Sequence, residues 1–231
     1  MKIFYFFVII FLKVSETMKN KNIFVIIFYF IYSFIPQVFV LLLNINLDSN
    51  LSKNIYLIIS YLIYLIFITF LFKDELKNDL KNFKFKSILK YIPIYILGIF
   101  LMIILNYLMS KITNIAISKN ETDIRNYIKV FPIPMAFSIV IYAPIVEELT
   151  FRKAFMNIFN KTYLFVLVSG TVFGLIHISS FSLDNFLMTI PYIIIGINFS
   201  YIYYKSNNIF TTITLHSIHN LILLTIQFIG G

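Results

Sequence analysis

Two adjacent carboxylates stand where a bilayer-crossing segment should hold none. Residues 132–158 read as an apolar span, yet they contain Glu147, Glu148, Arg152 and Lys153. An ionised side chain at a bilayer centre costs about 2.5–3.5 kcal/mol on insertion scales, so charges held there mark a functional site unless they snorkel to the interface. Glu147 and Glu148 are the two acids of the chain that fall inside its apolar spans. At roughly 100° per residue, Glu148 and Arg152 share a helix face and can pair in low dielectric. Glu147 then points away from that pair, free to face the bundle interior, unpaired, as a general base. Pro144, one turn earlier, loosens the helix and frees backbone groups that a cavity or a neighbouring helix must satisfy.

The histidines fall late in the chain, His177 in a fifth apolar stretch and His216 and His219 in a seventh. His216 and Asn220 are four apart, so an imidazole and a carboxamide face the same way. Phe173 and His177 repeat that spacing beside Gly170 and Gly174, a GxxxG patch that permits close helix approach. His219 is explained as well by a hydrogen bond to a neighbouring helix. Counted from ends at 158, 162 and 209, Glu147, His177, His216 and Asn220 lie between about 11 and 22 Å deep, which brackets one level. A single polar cavity formed by the fourth, fifth and seventh spans follows.

A glutamate base, a histidine and a further His/Asn pair can activate water and stabilise an oxyanion, the requirements of amide hydrolysis. The same groups can instead hold a divalent metal such as zinc through Glu147, His177 and His216. Spacing alone does not choose between them. Neither the HExxH zinc motif nor a GxGD aspartyl motif is present, and Ser169 reads as a small packing residue.

The elements that must position these residues are transmembrane helices. Of the 231 residues 60% are hydrophobic, and the mean hydropathy is +0.89, well above soluble domains. Apolar stretches at about 23–43, 55–72, 91–109, 132–158, 162–180, 186–204 and 209–229 approach the length that crosses a bilayer. The fold expected is all-α: a polytopic transmembrane bundle of about seven core spans plus a short N-terminal apolar segment. Residues 18–231 form one integral domain without linker or internal repeat, and the motifs lie within 132–225. Ile3–Leu12 is too short to span, and Met18 with its following lysines resembles a second start, so residues 1–17 read as an upstream extension or weak apolar segment. Absence of Cys excludes disulfides, thiol nucleophiles and cysteine-ligated zinc.

The net charge of +9 is no sign of nucleic-acid binding, because the lysines flank apolar segments as orientation in an anionic bilayer requires. Membrane lipids are the partner implied. Lys19, Lys21, the lysines of 73–90, Arg152, Lys153, Lys161 and Lys205 fall on one side, against Lys53, Lys111, Lys119, Arg125 and Lys129 on the other. This bias puts the Met18 end inside and the C-terminus outside. In the 73–90 loop Leu76, Leu80 and Phe83 recur at helical intervals among six lysines, the pattern of a segment lying on an anionic leaflet.

Glu147-Glu148-Leu-Thr-Phe-Arg152, Phe173-Gly-Leu-Ile-His177 and His216-Ser-Ile-His-Asn220 resemble the EExxxR, FxxxH and HxxxN motifs of the CPBP family, also called Abi. That family includes type-two CAAX prenyl endopeptidases and bacterial bacteriocin-processing or immunity proteins. The three motifs match in order and on separate spans. The resemblance implies an intramembrane endopeptidase acting on a peptide or lipidated-peptide substrate. By carry-over, Glu147 and His177 activate the water, His216 and Asn220 stabilise the oxyanion, and Glu148 and Arg152 support them. A glutamate mechanism without a cofactor is favoured over a metal one, with His219 left as an added polar group open to a ligand or supporting role. The Phe/Ile/Asn/Lys-rich composition looks like that of an AT-rich bacterial genome, so the membrane expected is a bacterial cytoplasmic one. A non-catalytic immunity or scaffold protein of the same fold is the alternative, and a transporter is disfavoured because no inverted repeat is visible.

Overall fold

The computed structural model describes residues 18–32, 34–42, 47, 49–159 and 162–230, and every regular element among them is helical. In order these are α1 (Met18–Tyr32), α2 (Ile35–Leu42), α3 (Asn50–Leu71), α4 (Lys73–Asn82), α5 (Ile92–Thr113), α6 (Lys119–Val130), α7 (Pro132–Ile158), α8 (Tyr163–Leu175), α9 (Ile190–Ser206) and α10 (Ile209–Gly230), with shorter turns between. The expectation for residues 1–17 lies outside the described residues. Among the described residues five helices are long and apolar enough to cross a bilayer: α3, α5, α7, α9 with the turn before it, and α10. Two shorter apolar helices, in α1 and α8, accompany them. The chain is a multi-pass, all-α membrane bundle.

Local chemistry sets the helix ends. Ser49 and Ser52 form a reciprocal cap at the start of α3, Ser49 Oγ accepting from the Ser52 N–H at 3.0 Å. Proline occupies the first turn of α5 and α9, where its missing N–H costs nothing. Both helices stop at an asparagine in the left-handed region, Asn114 at φ 55° and Asn207 at φ 48°, a conformation asparagine tolerates better than most residues.

Two expected spans are shorter in the structure. The stretch 23–43 is broken into α1 and α2 beside Pro36, whose ring crowds the carbonyl one turn back and which has no N–H to give. The stretch 162–180 is helical only to Leu175, after which the N–H groups of His177 and Ile178 turn back to the carbonyls of Gly174 and Leu175. Serines at 179, 180 and 182 offer the backbone local alternatives to a continued helix.

The GxxxG patch does what its spacing predicts. α8 lies so close to α9 that a Cβ on Gly170 would sit 2.5 Å from Cα of Ile197, and one on Gly174 2.5 Å from Cα of Ile193. Backbone contact of this kind lets dispersion forces hold helices together where lipid removes the hydrophobic drive. The outer helices show the converse: Ile96, Leu97, Phe100, Leu101, Ile103 and Ile104 of α5 are all exposed, a surface suited to acyl chains.

α7 carries the charged motif, and it is not a regular helix. Two π-helical segments, Ser138–Tyr142 and Glu148–Ala154, flank the single regular turn Ala143–Glu147. In the first, the Ala143 N–H bonds to the carbonyl of Ser138, five residues back. The next N–H in that register belongs to residue 144, a proline, and has no hydrogen to donate. The carbonyl left over, that of Ile139, accepts instead from Asn220 Nδ2 on α10 at 2.8 Å. In the second segment the carbonyl of Phe151 accepts from the buried Ser169 hydroxyl of α8, and Ser169 in turn meets Ser200 of α9 at 2.9 Å. Ser169 is therefore a hydrogen-bonding residue, correcting its reading as packing alone.

Candidate active site

Of the side chains singled out in the sequence, the two glutamates meet at His216. Its Nδ1 lies 3.0 Å from Oε1 of Glu148, and its Nε2 lies 3.8 Å from Oε2 of Glu147. An ionised carboxylate can only accept, so the bond to Glu148 puts a hydrogen on Nδ1 and leaves Nε2 as the nitrogen turned to Glu147. The ring is fixed further by stacking on Phe199 at 5.1 Å and by the edge of Phe173 at 5.9 Å. Helix geometry alone leaves Glu147 unpaired; in the structure it faces His216, because α7 and α10 bring both carboxylates to one imidazole.

The expected pair between Glu148 and Arg152 is present, with Arg152 Nε 3.3 Å from Glu148 Oε2 and both side chains fully buried. The guanidinium also lies over the Phe173 ring at 4.4 Å, which satisfies a cation in apolar surroundings in part. The contact with Glu148 is an ion pair only: none of the three guanidinium nitrogens makes a hydrogen bond to the described residues, and Glu148 Oε2 accepts none from them. Glu148 therefore has two oxygens with two tasks, one on Arg152 and one on His216. The pair braces the imidazole from behind, as an orienting carboxylate does in catalytic centres.

His177 sits at the end of α8, its ring flat on Tyr192 at 4.6 Å and edge-on to Phe173 at 5.3 Å. Its Nε2 is buried and has no hydrogen-bond partner among the described residues. Asn220 spends one amide hydrogen on the Ile139 carbonyl, and a carboxamide nitrogen carries a second. His219 does not join the centre: its Nδ1 is 3.1 Å from the Tyr95 hydroxyl, and its ring meets the edges of Tyr95 and Phe199. The reading of His219 as a helix-to-helix hydrogen bond is the one that fits.

Among the described residues, no three His, Asp or Glu side chains converge as a metal's ligands would. His216 has Glu148 on one nitrogen and Glu147 near the other, while His177 is stacked on Tyr192.

Glu147 opens onto a cavity of about 300 Å³, walled by Tyr29, Tyr32, Tyr64, Tyr142, Val146 and Ile176 among others. That volume is at the small end of ligand pockets, about 300–1,000 Å³, and Glu147 is the one charged side chain that the described residues contribute to its lining. The cavity expected from the fourth, fifth and seventh spans differs from this one: among the described residues α10 contributes nothing to the lining, and the wall from α1 and α3 was missed. Tyr29 and Tyr32 come from α1 and Tyr64 from α3, and nothing in their spacing separates them from the other tyrosines of an apolar helix.

Fold and centre together define a polytopic membrane protein with a buried carboxylate–imidazole site facing a small apolar cavity. Residues 129–222 match the family described as type II CAAX prenyl endopeptidase, Rce1-like. The UPF0177 protein YxdF of Lactococcus lactis subsp. lactis (strain IL1403) is 32% identical over 164 residues, covering 68% of this chain and 86% of the relative. No solved structure matches the chain. The chain belongs to the Rce1-like, type II CAAX endopeptidase family of intramembrane proteases.

Proposed function

We propose that the chain is a glutamate-type intramembrane endopeptidase that hydrolyses peptide bonds of membrane-delivered peptides or lipidated peptides. The observation that carries this reading is the His216 imidazole held between Glu148 and Glu147, with Glu147 at the wall of the cavity. Glu147 takes a proton from water as the oxygen attacks the scissile carbonyl carbon, and His177 orients that water through its free Nε2. His216, as an imidazolium with a hydrogen on each nitrogen, donates from Nε2 to the oxyanion that forms, and so does the second amide hydrogen of Asn220. The protonated Glu147 then gives its proton to the departing amine, which leaves the site as it began. Burial strengthens each of these interactions, since few dipoles compete inside the bundle.

The chain is placed in this reading in a bacterial cytoplasmic membrane, with the Met18 end inside. Its support is that Lys21, Lys153 and the lysines of 73–90 gather at one end of the bundle, where Lys21 pairs with Glu75 and Lys153 with Asp79.

Chelation separates the glutamate mechanism from a metal one. Purified protein in nanodiscs is expected to keep cleaving a quenched-peptide substrate after treatment with a strong chelator, and to lose cleavage in His216→Ala. Activity abolished by the chelator and restored by added zinc would replace this mechanism with a metal-dependent one.

A further inference from the structure

The segment from Lys73 to Lys90 holds six lysines and three acids, and the structure sorts them onto two faces. Asp79 is buried, its Oδ2 accepting from Lys153 Nζ at 2.9 Å and from the Ile209 N–H at 3.2 Å. The Asp79 carbonyl accepts from Asn208 Nδ2 at 2.6 Å. Glu75 pairs with Lys21, whose Nζ also donates to the Leu71 carbonyl. Two of the three acids are thus turned inward and neutralised by the bundle. Lys73, Lys77, Lys81, Lys84, Lys86 and Lys90 are all exposed, and among them stand the exposed apolar side chains of Leu80, Phe85 and Leu89.

This outward face lies beside the end of α3, the end of α7 and the start of α10, the level at which spanning helices leave the hydrocarbon. A soluble acidic partner would match the lysines but gives no reason for large apolar side chains interleaved with them. A leaflet with anionic headgroups matches both, because it offers negative charge at the surface and an acyl boundary just beneath. We propose that Lys73–Lys90 docks on the anionic phospholipid headgroups of its own leaflet, with its lysines at the headgroups and Leu80, Phe85 and Leu89 in the acyl boundary. The docking is independent of the hydrolytic reading. Its reach into the fold is through Asp79, which grips both α7, the helix of the two glutamates, and α10, the helix of His216 and Asn220.

Because the chain lacks Cys, Ser87→Cys places a single environment-sensitive fluorophore at an exposed position of the segment. The full chain is reconstituted in nanodiscs of phosphatidylcholine alone or of an equal mixture with phosphatidylglycerol. The expected result is a blue shift and reduced quenching by aqueous iodide in the mixed discs, reversed by high salt. Replacing Lys77, Lys81, Lys84 and Lys86 by Gln should abolish the shift while the thermal melt in neutral discs stays unchanged. Inorganic phosphate added to neutral discs should leave the emission where it was. Identical emission in the two lipids overturns the proposal, as does a shift that salt and the Lys→Gln changes leave intact. A shift produced by phosphate alone, or only by an added acidic protein or RNA, assigns the surface to that ligand and overturns the lipid.

Discussion

His216 is where the two glutamates of the motif meet, and its surroundings decide what each can do. Glu148 is committed on both oxygens, to His216 and Arg152, whereas Glu147 alone opens to the cavity. Removing one member of a fully buried pair leaves the other charged and unpartnered, which typically costs about 3–5 kcal/mol. Arg152→Ala is therefore expected to lower thermal stability by about that amount, read as loss of folded protein in a detergent melt, in addition to any loss of activity. Asn220 permits a sharper test, because its bond to the Ile139 carbonyl answers the hydrogen that Pro144 lacks. In Pro144→Ala the backbone can supply that hydrogen itself. The stability cost of Asn220→Ala, about 1–3 kcal/mol for an abandoned buried acceptor, should shrink in the Pro144→Ala background. Additive melting shifts in the double-mutant cycle would separate Asn220 from the bulge. The Glu148–Arg152 pair was legible because partners four apart on one helix need no tertiary information. The approach of Glu147 to His216 was not, since it depends on how α7 and α10 cross.

Among the elements, hydropathy located the helices but said little about their irregularities. A π-helical turn leaves no trace in an apolar pattern, and only Pro144 hinted at the first of the two in α7. The breaks after Tyr32 and Leu175 fall beside Pro36 and the serines at 179, 180 and 182, a signal too sparse to interrupt an apolar stretch on hydropathy alone. The α8–α9 contact was legible, because glycines spaced by four have one obvious use in a membrane. Gly170→Leu should force the helices apart, since even its Cβ would meet the Ile197 backbone at 2.5 Å. A loss of about 1–3 kcal/mol or more is expected from overpacking of this kind, and the melting temperature of the reconstituted protein measures it. The change would also pull Ser169 from the Phe151 carbonyl and so disturb the π segment that holds Glu148 and Arg152.

For the whole molecule, the family match covers 129–222, while the cavity wall draws on α1 and α3 outside it. The motifs thus define the centre, and the earlier helices close it. Lysine distribution sets the expected orientation, which single-cysteine labelling tests in a chain that has no Cys of its own. A membrane-impermeant maleimide applied to intact cells should label Thr122→Cys and spare Asn82→Cys; the reverse pattern would invert the topology. The central claim is that Glu147 serves as the base for peptide hydrolysis, and one comparison tests it most directly. Wild type and Glu147→Gln, both confirmed folded and inserted, are incubated with a quenched-peptide library in nanodiscs. Positioned acid–base catalysis contributes about 10²–10⁴-fold, so cleavage by the wild type should fall by at least the lower figure in Glu147→Gln, with substrate KM little changed. Equal cleavage by the two proteins would contradict the account.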